Sequence, residues 1–155
     1  MVTANDALRR AGIDPTDRRA HAQAALRIAR TVEHLMDDEG RCALNALESY
    51  VNADPGALVA VRAAASLFAG SYLRGVPRGT LEAATKYSNL AAGSPLREIL
   101  DLSPEAPADA VCAAWLWAAW PLAWEIDGRD ANVNSPTGDA VRERLARAVA
   151  EECGR

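Results

Sequence analysis

The sequence predicts an all-α, single-domain bundle of about six to eight closely packed helices. Three observations carry that reading. Alanine supplies 34 of 155 residues while aromatics are only 5%, which suits helices whose backbones approach closely. No run combines β-branched and aromatic residues with the period-two alternation of a strand. Five Asp-Pro or Ser-Pro pairs, at 14, 54, 94, 103 and 135, join a favoured N-cap to the residue best tolerated at the first helical position. A chain of this length buries a core without disulfide or metal staples.

The helices are expected over Asn5–Ala11, Pro15–Met36, Arg41–Val51, Pro55–Leu73, Thr80–Ala91, Pro95–Leu100, Pro107–Ile126 and Pro136–Cys153. Gly12, Gly40, Gly75, Gly93 and Gly128 lie near the expected stops. In the second helix Ala25, Ile28, Ala29, Val32, Leu35 and Met36 form an apolar stripe; in the fourth, Leu58, Val61, Ala65, Phe68 and Tyr72 do so. The last helix turns Val141, Leu145, Ala148 and Val149 inward and leaves Arg142, Glu143, Arg147 and Glu151 for water. The cap spacing near forty residues is what stacked helical hairpins would show, yet beyond the caps only Ala24-Ala25 and Ala64-Ala65 align. Residues 127–139 are expected to form a long exposed loop.

All four tryptophans fall within 110-AVCAAWLWAAWPLAWEI-126, and no charge occurs between Ala110 and Trp124. That run is shorter than the roughly 20 residues a bilayer requires, so no membrane span is expected. A helix apolar on every side belongs at the centre of the bundle. Pro121 is expected to kink it and to free the carbonyl of Trp117. Trp117, Trp120 and Trp124 project to one side within about 60°. Their indoles have three fates: core packing, an aromatic pocket shared with Tyr72, or a surface covered by a partner.

A net charge of −4 and a pI near 5.2 argue against a nucleic-acid or anionic-membrane surface and suit a basic protein partner. Cys42, Cys112 and Cys153 are odd in number and scattered, as free thiols of a reducing compartment would be. The first residues lack the apolar core of a signal peptide, so a cytoplasmic protein is expected. His21 and His34 point to different faces of one predicted helix and cannot share a metal. No phosphate-binding loop, dinucleotide fingerprint or nucleophile elbow occurs; no cofactor is expected and catalysis is not indicated. A Cys42–His34 nucleophile pair is the one catalytic arrangement with the right residue types. The acidic run Asp37, Asp38 and Glu39 reads either as a partner-binding turn or as the negative start of the next helix.

The run 25-ALRIARTVEHLMDDEGRCALNALESYVN-52, followed by 57-ALVAVRAAASLFAG-70, resembles immunity proteins of the Imm-5 type found in bacterial toxin systems. In that family an alanine-patterned helix leads into an acidic turn, an arginine and a second helix bearing an aromatic residue. Here these are Asp37-Asp38-Glu39, Arg41 and the helix ending at Tyr50, so the resemblance covers about a third of the chain. It implies a non-catalytic protein that binds a basic bacterial toxin through Asp37, Asp38, Glu39 and Arg41. The rival is a small-molecule-binding protein or enzyme using a pocket between helices, lined by Tyr72, Trp117, Trp120 and Trp124. A homodimer through the tryptophan helix is a third arrangement.

Overall fold

The computed structural model describes residues 2–68, 70–101, 107–128 and 136–153, and every regular element among them is helical. In chain order these are α1 (Ala4–Arg10), α2 (Arg18–Arg30), α3 (Asp38–Val51), α4 (Ala57–Ala65), α5 (Leu81–Asp101), α6 (Asp109–Asp127) and α7 (Pro136–Cys153). Single 3-10 turns stand at Glu33–Leu35 and Ser66–Phe68.

Helices α2, α5 and α6 pack on one another as a central triad. Helices α3 and α4 lie on its α2–α5 side, and α1 and α7 on its α2–α6 side. Helix α6 therefore occupies the central position its all-round apolar character predicts, with Val111, Ala114, Ala118 and Ala123 completely buried. It passes through Pro121 as one helix. Many of the buried residues are alanines: Ala24, Ala25, Ala29, Ala43, Ala91 and Ala92 are also fully buried, around larger anchors such as Ile28, Leu47, Phe68, Leu96 and Leu145. Among the described residues no helix is long and apolar enough to cross a membrane.

The Asp-Pro pairs act just ahead of the helices. The Asp14 carboxylate accepts the Thr16 amide and hydroxyl, each at 2.8 Å, making a tight turn. The cap proper is Asp17, which accepts the Ala20 amide at 3.0 Å. Asp54 likewise accepts the Gly56 amide at 2.9 Å, and α4 begins at Ala57.

At Ser94-Pro95 the expected break is absent, because α5 runs unbroken from Leu81 to Asp101. Pro95 costs the rung to the Ala91 carbonyl, but burial of Ala91, Ala92, Pro95 and Leu96 holds both halves against the core. The forty-residue spacing therefore does not mark structural repeats. Ser103-Pro104, Ser135 and most of the expected 127–139 loop lie outside the described residues, while α7 starts at Pro136 as expected.

Two glycines expected as stops are interior packing positions. A Cβ on Gly40 would stand 2.0 Å from Asn89 Oδ1 and 2.9 Å from Met36 Cβ. One on Gly93 would stand 2.5 Å from the Phe68 ring. Their missing side chains let α3 and the 66–68 turn close onto α5. Two helices also end early. The Thr31 hydroxyl donates to the Ile28 carbonyl at 2.6 Å where α2 stops, and α4 gives way to a 3-10 turn after Ala65. Tyr72 consequently lies in a turn segment rather than on a helical stripe. On α7 the predicted apolar face is buried, but Arg142, expected in water, is buried as well.

Candidate functional site

The acidic run forms the start of α3, and its three carboxylates do different work. Asp37 is the N-cap: its carboxylate accepts the amides of Glu39 at 3.0 Å and Gly40 at 3.3 Å. The same carboxylate accepts Asn89 Nδ2 at 2.8 Å, while the Asp37 amide donates to Asn89 Oδ1 at 3.3 Å. Asp37 is thus consumed internally. Asp38 and Glu39 follow in the first turn, exposed and placed where negative charge offsets the helix dipole.

Asn89 is completely buried, and its second Nδ2 proton goes to the Tyr72 hydroxyl at 2.7 Å. All its amide hydrogen-bonding groups therefore find partners, as a buried polar side chain requires. Tyr72 is held from the other side by Phe68, edge-on at 5.1 Å, and by Lys86, whose Nζ lies 4.8 Å from the ring centroid and donates to the Tyr72 carbonyl. Burial pushes the Tyr72 phenol up to about 12, the Asn89 hydrogen bond opposes this, and the charges of Glu39 and Asp37 add to it.

Arg41, one turn further along α3, has Nη1 at 3.9 Å from Glu33 Oε2. Glu33 also pairs with Arg30 at 3.3 Å, and Arg30 with Glu48, a surface network of modest energetic weight. Asp38 and Arg41 sit on the wall of an open groove of about 430 Å³ between α3 and α4, with Cys42, Asn45, Ala60 and Ala63. Helix α4 also exposes Leu58 (59%) and Val59 (73%). The structure brings Asp37, Asp38, Glu39 and Arg41 to one end of α3, with Asp37 in a capping role.

The aromatic set predicted from the sequence is only partly assembled. Trp117, Trp120 and Trp124 do share a side of α6, but Tyr72 belongs to the acidic turn. Its place is taken by Tyr87 of α5, whose ring meets Trp117 edge-on at 5.1 Å and Trp124 at 5.2 Å. Trp120 lies 6.1 Å from Trp124, and the Arg78 guanidinium covers the Trp120 ring at 4.9 Å. Trp115 and Trp124 are buried, and Trp117 and Trp120 half-buried. Tyr87 and Arg78 escaped sequence reasoning because nothing in the local pattern pairs them with an indole 30 or more residues away. Asn89, directly before the apolar stretch Leu90-Ala91-Ala92, carried only the signal of a polar residue beside apolar ones.

His34 pairs with Glu125 of α6, and His21 Nδ1 lies 2.7 Å from the Asp17 carbonyl. Cys42 is exposed and Cys112 half-buried. Among the described residues no group of three or more His, Cys, Asp and Glu side chains is placed to hold a metal ion. In comparison with known proteins, the chain matches no family model, no curated protein and no solved structure.

Proposed function

We propose that this chain is a non-catalytic protein-binding domain whose α3–α4 groove, with Asp38 and Glu39 at its acidic end, docks a basic protein. The partner we propose is a bacterial toxin whose active surface the domain covers, the role implied by the resemblance of residues 25–70 to Imm-5-type immunity proteins.

One observation carries the reading: the acidic turn is fixed before any partner arrives. The buried Asn89 grips the capping Asp37, so the first turn of α3 is held in place with Asp38 on the groove wall and Glu39 exposed next to it in the chain. A preorganised surface avoids the ordering cost that loops meet on association. The exposed Asp38 and Glu39 carboxylates would speed encounter with a basic partner and set its orientation. Apolar contact along Val59 and Ala63, one helical turn apart on α4, would supply more of the affinity. Inhibition would be steric, with no bond made or broken.

The rival, a ligand cage of three indoles, gains less support from the geometry. Tyr87 lies against two of the indoles and Arg78 covers the third. Co-expression with a toxin encoded beside this chain, scored by growth rescue, tests the proposal. Rescue that disappears with Asp38→Lys/Glu39→Lys supports it. Rescue unaffected by that pair rejects the surface, and failure of the unaltered chain to rescue rejects the role.

A further inference from the structure

A second cavity, of about 520 Å³, opens between the start of α2 and the turn that joins α3 to α4. It shares no residue with the α3–α4 groove, and its volume falls inside the roughly 300–1,000 Å³ of ligand pockets. Arg18 and Arg19, the first two residues of α2, supply its cations. Tyr50, Pro55 and Leu58 supply apolar surface; Tyr50 is half-buried, and Leu58 lies open to any group that enters.

Neither guanidinium makes a hydrogen bond or ion pair among the described residues, although the chain carries 21 acidic side chains against 17 basic ones. The acids closest in sequence are committed elsewhere. Asp17 caps α2 through the Ala20 amide at 3.0 Å, and Asp14 holds the Thr16 amide and hydroxyl. Asp54, the one carboxylate among the described lining residues, accepts the Gly56 amide at 2.9 Å. Two cations at the positive end of α2 oppose its dipole, so helix stability does not account for them. Ala53, also on the wall, has a left-handed backbone with φ 55°, which no other non-glycine among the described residues adopts. Backbone strain of this kind is concentrated at ligand-binding turns.

Two adjacent guanidiniums match the several oxygens of a phosphoryl dianion better than one carboxylate, and a flat ring packs well on a tyrosine and a leucine. We propose that this cavity binds a small phosphate monoester with an aromatic body, its phosphoryl group at Arg18 and Arg19 and its ring against Tyr50 and Leu58. The carboxylate of Asp54 disfavours a ligand with a second anionic group. Binding here goes beyond the toxin-docking role and does not depend on it.

Phenyl phosphate is the probe, titrated by calorimetry beside inorganic phosphate and phenol. Phenyl phosphate should bind saturably, and inorganic phosphate and phenol should each bind at least about tenfold more weakly. Arg18→Gln/Arg19→Gln replaces exposed side chains that make no bond within the fold. That variant should melt no lower than the parent and bind phenyl phosphate at least about tenfold more weakly. Leu58→Gln should leave inorganic phosphate binding unchanged and erase most of the preference for phenyl phosphate. If either variant melts lower, the ratio of phenyl phosphate to inorganic phosphate affinity in the unaltered chain decides. No saturable heat with phenyl phosphate, equal binding of inorganic phosphate, or undiminished binding by the arginine variant would each overturn the assignment.

Discussion

Asn89 and Asp37, 52 residues apart in sequence, exchange two hydrogen bonds: Asn89 Nδ2 donates to the Asp37 carboxylate and the Asp37 amide donates to Asn89 Oδ1. This pair joins α5 to the start of α3 and fixes the acidic turn. Asn89→Ala would leave the Asp37 amide and the Tyr72 hydroxyl without their buried partner. A stability loss of about 2–4 kcal/mol is expected in urea denaturation, and a loss under about 0.5 kcal/mol contradicts this role.

Gly40 makes that contact possible, and its substitution opposes two principles. In an exposed helix Gly→Ala gains about 1 kcal/mol. Here a Cβ would collide with Asn89 Oδ1 and Met36 Cβ, so Gly40→Ala should instead destabilise by roughly 1–3 kcal/mol. Combined with Asn89→Ala, the effects should be clearly less than additive, because removal of the amide vacates the space. Additive losses by calorimetry would place the two residues in separate networks.

Tyr72 gives a pH signature. Its phenol is pushed up to about 12 from an ordinary value of 10.0, so the folded chain retains a proton that the unfolded chain loses first. The linked stability is complete below pH 10 and is lost as pH rises from 10 towards 12. Other tyrosines and lysines titrate in the same range, so the observable is the difference from Tyr72→Phe. That difference should shrink steadily across this window, and a constant difference would show that Tyr72 has an ordinary phenol.

Tyr87 seals two indoles and Arg78 shields a third. Tyr87→Ala should cost about 3–4 kcal/mol and red-shift the tryptophan emission. Arg78→Ala should cost no more than about 1 kcal/mol while making Trp120 more open to acrylamide. Equal quenching before and after the Arg78 change would mean that the guanidinium does not cover the ring in solution.

The architecture was legible where a single helix announces itself. The apolar run of α6 predicts its central position, and of the two readings of Asp37, Asp38 and Glu39 the negative start of α3 is seen in the cap and first turn. What stayed hidden depends on contacts distant in sequence. Ser94-Pro95 has the local signature of a cap, yet the packing of Gly93 against Phe68 and the burial of Pro95 keep α5 continuous. Tyr72 fits a helical stripe only while α4 is extended to Leu73; once α4 ends at Ala65, the ring turns to Asn89 instead of the indoles. Arg142 obeys its helical angle less than the apolar neighbours around it.

In the proposed function the turn held by Asn89 presents Asp38 and Glu39 to a basic protein. Its most direct test is calorimetric titration of a toxin encoded beside this chain with the unaltered protein and with Asp38→Lys/Glu39→Lys. The variant should bind at least about tenfold more weakly and with a reduced dependence on salt, while the loss of two negative charges at the start of α3 lowers its stability by no more than about 2 kcal/mol. Equal affinities and equal salt dependence would contradict it.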